Sequence, residues 1–173
     1  MEPVFFSGTA EILWQLFLAA LLGMLLGTER AVVADKRAGM RTYALVSLGA
    51  CLFSVISIWV TSGYLGLANF DPMRMATGIV AGIGFIGAGL IFFQGDKLQG
   101  LTTAAGLWVA AAVGVAVSFG MYIIAIFSTL LTLGIFTGLW YIEDRLKSIS
   151  RFKNGIQFIK TEEKEEKKPQ AGA

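Results

Sequence analysis

The stretch MATGIVAGIGFIGAGLIFF, residues Met75 to Phe93, decides the class of fold. It runs for 19 residues without a charged side chain, and about 17–25 apolar residues suffice for a helix to cross a bilayer. Backbone polar groups must pair internally in lipid, so segments of this kind form helices. The same character recurs in four other segments, which are Ile12 to Thr28, Thr42 to Val60, Leu101 to Phe119 and Met121 to Ile142. We therefore expect an all-α integral membrane protein with about five transmembrane helices.

The overall composition agrees with this class and argues against an enzyme. The chain is 55% hydrophobic and only 15% charged, whereas a soluble domain carries about 25% charged residues. It has no histidine and a single cysteine, Cys51, so it lacks the commonest general base and cannot form an internal disulfide. With no paired carboxylates either, we predict no enzymatic activity and no cofactor. Whether the protein binds a metal is left open.

The same stretch contains a formal G-x-G-x-x-G match at Gly82, Gly84 and Gly87. A dinucleotide site needs a strand before this motif and an acid about 20 residues after it, but Leu107 stands there. In lipid, small residues instead allow helices to approach closely. We therefore expect the third span to be a central, crowded helix, packed against the fourth span or against another copy of the chain. The predicted packing residues are Gly78, Gly82, Gly84, Gly87 and Gly89.

Basic residues predict the orientation. They concentrate between the first two spans and after the last one, so the C-terminus should be cytoplasmic and the N-terminus outside. The N-terminus lacks the positive region of a signal peptide, and the first helix is expected to remain. We predict a transmembrane domain over residues 1–142 and, over residues 143–173, a basic amphipathic juxtamembrane helix with a disordered charged tail. The turn at 118–120 leaves an alternative in which the fourth and fifth spans form a bent, buried pair.

A few polar residues near the span ends are candidates for function. Glu29 lies at the inner end of a helix, where the dipole disfavours an acid, and a pair with Arg41 would resolve this. Asp71 suits a helix N-cap, whereas the positive charge of Arg74 in the first turn opposes the dipole unless it pairs with an acid or an anion. The full set of candidates is Glu29, Arg30, Arg41, Asp71, Arg74, Thr102 and Thr103.

Four blocks in this order resemble the membrane domain of the MgtC/SapB family: GTER, AGMRTYALVSLGA, DPMRMATGIVAGIGFIGAGLIF and GLTTAAGLWVAAAVGVA. The similarity covers about Gly23 to Leu133 and includes all the candidate residues above. The resemblance implies a multi-pass bacterial inner-membrane protein without enzymatic activity. It also implies links to growth at low magnesium, to virulence and to modulation of the F-type ATP synthase.

Two features depart from the longer members of that family. Only residues 143–173 follow the last span, so we expect a short member without the soluble C-terminal domain. Some longer relatives have Asn where this chain has Thr102, which puts any regulation through that Asn in doubt. Besides the lipid bilayer, the expected partners are other copies of the chain and other inner-membrane proteins, with no nucleic acid. The alternative function is a small oligomeric ion or solute transporter.

Overall fold

The computed structural model describes residues 3–32, 39–63, 71, 73–139 and 141. It consists of five helices and one short hairpin: α1 Pro3–Val32, α2 Met40–Gly63, α3 Met73–Leu90, β1 Phe92–Gln94, β2 Lys97–Gln99, α4 Leu101–Ser118 and α5 Tyr122–Leu139. Four of these helices are long and apolar enough to cross a membrane, and α3 contains a shorter apolar stretch, Arg74–Leu90. The expected all-α membrane fold with about five helices is confirmed.

The chain divides into two compact units, Met1–Gly134 and Ile135–Ala173. Of the second unit the structure describes residues 135–139 and 141, which are helical. The predicted juxtamembrane helix and charged tail lie outside the described residues. The domain boundary at residue 142 and the membrane orientation remain predictions.

The core of the first unit is formed mainly by α1, α2 and α4. Their facing side chains are apolar and small or branched, which lets the helices interlock closely. Cys51 is fully buried among them, as expected for a small apolar residue. The buried cluster also includes Leu18, Leu22, Leu26, Leu107, Ala110, Val113 and Val117.

Within this chain α3 is not the central, crowded helix that was expected. Most of its residues are exposed, and its buried positions are Ile83 and Gly87. Close helix contacts occur at glycines of other helices instead. A Cβ atom on Gly23 of α1 would lie 2.6 Å from the Tyr43 carbonyl oxygen, and one on Gly114 of α4 would overlap the Ser47 carbonyl. Small residues do bring these helices together, but they are not the ones in the glycine-rich span.

The hairpin after α3 was not expected, because the third span was predicted to continue as a helix to Phe93. Instead Phe92–Gln94 pairs antiparallel with Lys97–Gln99. The turn between the strands contains Gly95 at φ 61°, a conformation that two-residue hairpin loops favour. Gly100, at φ 90°, closes the hairpin, and a Cβ atom added to it would overlap the Leu90 carbonyl. The hairpin thereby sets the end of α3 beside the start of α4.

The turn between α4 and α5 separates two distinct helices. The Met121 N–H donates to the Ala116 carbonyl at 2.9 Å, and the Gly120 N–H donates to the Val117 carbonyl at 3.0 Å. This pair of bonds, with Gly120 at φ 72°, is the Schellman arrangement that ends a helix. Each helix has 18 residues in its apolar stretch, which gives a length of about 27 Å. The five-span prediction is supported over the bent, buried pair, since most of α5 is exposed.

Candidate functional site: a buried ion pair beside three helices

The most unusual polar group in the described chain is an ion pair near the end of α1. Arg30 Nε donates to Glu29 Oε2 at 2.5 Å, and the two side chains are only 8% and 3% exposed. Buried charges are tolerated when they are paired. The second carboxylate oxygen, Glu29 Oε1, is buried and has no hydrogen-bond partner. The pair is therefore only partly satisfied, and Glu29 keeps a free acceptor inside the protein.

Polar groups of α2 and α4 lie at the same end of the bundle. The fully buried Tyr43 donates its hydroxyl hydrogen to the Thr103 main-chain oxygen at 3.1 Å. The charges of Glu29 and Arg30 are near enough to act on the Tyr43 phenol electrostatically. One turn further along α2, the buried Ser47 Oγ has no hydrogen-bond partner. The site thus combines one ion pair, one interhelical hydrogen bond and two free buried oxygen atoms.

The structure brings together three of the seven candidate residues. Glu29, Arg30 and Thr103 are buried at this site, whereas Thr102 is exposed on the outer side of α4. The hypothesis of a Glu29–Arg41 pair is wrong, because the carboxylate pairs with its neighbour Arg30. Arg41 is exposed at the start of α2.

The other two candidates lie at the N-terminal end of α3, whereas the C-terminal end of that helix contacts the start of α4. Asp71 and Arg74 are both exposed, and the Arg74 N–H donates to the Asp71 main-chain oxygen at 3.1 Å, which closes the first turn of the helix. A Cβ atom on Gly87, near the far end of α3, would lie 3.5 Å from the Ala104 Cβ at the start of α4. The 13 residues from Arg74 to Gly87 rise about 20 Å. Asp71 and Arg74 are therefore remote from the ion pair.

A second polar contact occurs at the other end of α1. Gln15 Nε2 donates to the Tyr122 hydroxyl at 3.3 Å and lies 3.5 Å from the Ser118 main-chain oxygen. Gln15 is buried, and these bonds connect α1 to the turn between α4 and α5. The sequence offered one signal for this role, since Gln15 is the only amide side chain in the first span.

The glycines of α3 do not pack closely within this chain. Cβ atoms built on Gly78, Gly82, Gly84 and Gly89 would meet nothing within 4 Å, and Gly87 makes the single ordinary contact noted above. Gly78 and Gly82 instead line an open apolar groove between α2 and α3, with a volume of about 600 Å³. Packing of these glycines against another chain remains a prediction.

The site offers few ligands for a metal ion. Within the part of the chain that the structure describes, no three His, Cys, Asp or Glu residues are grouped so that they could hold one. A divalent cation at Glu29 would find one free carboxylate oxygen beside the positive charge of Arg30. Hard cations such as Mg²⁺ prefer several oxygen ligands, so this one oxygen would not by itself make a magnesium site.

The sequence is similar to one protein family and to several named relatives. The model of a family described as the MgtC family matches residues 16–145. The chain is 41% identical over 127 residues to the protein named "Putative magnesium transporter YhiD" of Escherichia coli strain K12, covering 72% of this chain and 59% of that protein. It is 42% identical over 118 residues to Protein MgtC of Salmonella typhimurium strain 14028s, covering 68% and 48% of the two chains.

A third relative is Protein MgtC of Brucella abortus strain 2308, at 47% identity over 103 residues. That match covers 60% of this chain and 40% of the relative. The chain thus aligns with between 40% and 59% of the length of these three relatives. No solved structure matches the sequence.

Proposed function

The chain belongs to the MgtC family, and on that premise we propose that it is a non-enzymatic regulator in the bacterial inner membrane. In this proposal it acts by binding other membrane complexes, such as the F-type ATP synthase. Its activity supports growth at low magnesium and, in pathogens, virulence. Self-association and partner binding both use the lipid-facing helix surfaces.

The distribution of buried polar groups supports a binding protein more than a channel. The ion pair and Tyr43 lie at one end of the helix bundle, and Gln15 lies at the other. Between them, the core of α1, α2 and α4 is mainly apolar, with side chains such as Leu107 and Val113, and its buried polar groups on α2 are serine hydroxyls such as Ser47 and Ser54. An ion crossing a single chain by this route would exchange its hydration for a few uncharged serine hydroxyls, which is costly.

The second candidate is an oligomeric transporter. The name of the Escherichia coli K12 relative favours magnesium transport, and several copies arranged around an axis could enclose a pathway that one copy lacks. The exposed Asp71 and Arg74 would then supply polar groups at its mouth. The transporter therefore predicts ion flux that depends on these residues.

Flux and association measurements on the same purified protein distinguish the two functions. The full chain is reconstituted into liposomes that contain a magnesium-sensitive dye, and empty liposomes serve as the baseline. In parallel, a tagged chain is purified from magnesium-limited cells, and co-purified membrane proteins are identified. We expect no Mg²⁺ entry above baseline and recovery of a membrane complex. Mg²⁺ entry that is lost on substitution of Asp71 would overturn the regulatory function.

A matched pair of variants tests whether the buried ion pair matters for this activity. Glu29→Gln keeps an oxygen that can accept from Arg30 but removes the buried negative charge. Glu11→Gln makes the same change at an exposed position of the same helix. We expect Glu29→Gln to impair growth at low magnesium with normal protein levels, and Glu11→Gln to behave as wild type. Equal growth of both variants would show that the ion pair is structural.

A further inference from the structure

An open apolar groove lies between α2 and α3 in the described part of the chain. Its walls are apolar side chains, such as Phe53 and Ile86, together with glycines. At Gly49, Gly78 and Gly82 an added Cβ atom would meet nothing within 4 Å. The groove is therefore open because side chains are missing from both of its walls, and it presents a smooth apolar channel along the helices.

The length of the groove fits the acyl chain of a lipid. The lining from Met75 to Ile86 rises about 16 Å along α3, close to the roughly 15 Å of hydrocarbon in one leaflet. An acyl chain of one leaflet would therefore lie along the whole groove.

Exposed arginines precede the lining segments of both helices: Arg74 stands beside Met75 of α3, and Arg41 stands beside Thr42 of α2. Arg74 precedes the lining residue Met75 and lies in the first turn of α3. It forms no ion pair with another residue in the described part of the chain. The positive end of the helix dipole adds to its charge, so an anion at this position would interact favourably with both. A guanidinium is also well suited to bind phosphate through two hydrogen bonds.

We propose that the α2–α3 groove binds one acyl chain of an anionic phospholipid whose phosphate contacts Arg74. The apolar walls accept the hydrocarbon, and the charge at the groove end selects lipids with net negative headgroups. The buried ion pair is not part of this site.

Two substitutions of the same kind in the same helix test occupation of the groove. Gly82→Leu places a side chain in the groove, and Gly84→Leu places one on an exposed surface outside the lining. Neither Cβ atom meets another group within 4 Å, so both variants should fold. The purified full-length proteins are stripped of lipid and mixed with phosphatidylglycerol in detergent, and bound lipid is counted by native mass spectrometry. We expect Gly82→Leu to lower the bound lipid at least about fivefold and Gly84→Leu to leave it unchanged.

A charge variant tests the headgroup contact. Arg74→Gln should lower phosphatidylglycerol binding about fivefold, which corresponds to roughly 1 kcal/mol per basic residue near lipid headgroups. Its binding of zwitterionic phosphatidylethanolamine should not change. Lys97→Gln in the hairpin removes an equal charge at a remote, exposed position and should leave both lipids unaffected.

Two outcomes would overturn the proposal. One is equal lipid binding by Gly82→Leu and Gly84→Leu. The other is loss of oligomers in Gly82→Leu with unchanged lipid binding, since the groove would then be an interface between copies of the chain. If Gly82→Leu does not fold, Gly78→Leu at the next turn of the same wall provides the same test.

Discussion

The buried ion pair predicts that variants losing one of the two charges melt at a lower temperature than a variant losing both. In the single variants Glu29→Leu and Arg30→Met, one buried charge loses its partner, which costs about 3–5 kcal/mol. For a chain of this length, each 1 kcal/mol lowers the melting temperature by about 2–4 °C. We therefore expect each single variant to melt roughly 6–20 °C below wild type.

The double variant should behave differently. Replacing both partners with apolar side chains removes the desolvation cost as well as the attraction, and such replacements are often neutral or stabilising by about 1–4 kcal/mol. Here the balance tilts further in that direction because Glu29 Oε1 is buried without a partner. A partly satisfied polar network is worth less than a fully satisfied one. We expect Glu29→Leu combined with Arg30→Met to melt within about 4 °C of wild type or above it.

The chain offers a convenient probe for the measurement. Cys51 is its single cysteine and is fully buried, so reaction with a thiol-sensitive dye during heating reports unfolding in detergent. Glu11→Leu, at an exposed position of the same helix, is the control and should shift melting by no more than about 2 °C. The reasoning is refuted if the single variants melt within 2 °C of wild type, or if the double variant is as unstable as the worse single variant.

The same melting assay checks three packing predictions. Gly114→Ala should lower stability by about 1–3 kcal/mol, because the new methyl group would overlap the Ser47 carbonyl. Gly49→Ala has open space and should instead raise stability by about 0.5–1 kcal/mol, so equal effects of these two changes would contradict the described packing. Tyr43→Phe should cost about 1 kcal/mol by removing the bond to the Thr103 carbonyl, and an unchanged melting temperature would argue against that bond.

Helix content and helix number follow directly from the sequence in this protein. Long apolar segments must become helices in lipid because their backbone groups have no other hydrogen-bond partners. The five expected spans therefore match α1 to α5 within a few residues at most ends. The end of the third span was misplaced because Ile91, Phe92 and Phe93 are as apolar as the helix before them. What ends the helix there is the hairpin geometry around Gly95 and Gly100, which hydropathy does not record.

The candidate site was only partly predictable. Charge placement identified Glu29 as unusual, since an acid at the C-terminal end of a helix opposes the dipole, and its neighbour Arg30 was also a candidate. It could not show that the two neighbours would pair with each other, because that depends on side-chain rotamers. Tyr43 was not singled out, although it lies in the quoted AGMRTYALVSLGA block. Tyr43 lies on the face of α2 that contacts α4. A span that is apolar on all sides does not reveal which of its faces contacts a neighbouring helix.

The glycines show the same limit, because the close packing within this chain occurs at glycines of α1 and α4 and not at those of α3. Gly23 and Gly114 are isolated in sequence, yet each lies directly against the α2 backbone. The five glycines of α3 are dense in sequence, but most of them face open space or the groove. A glycine contributes to packing only where a neighbouring backbone is close enough to use the missing side chain. Where no neighbour is present, the same glycines leave a cavity, and in a bilayer such a cavity is filled by lipid or by another protein.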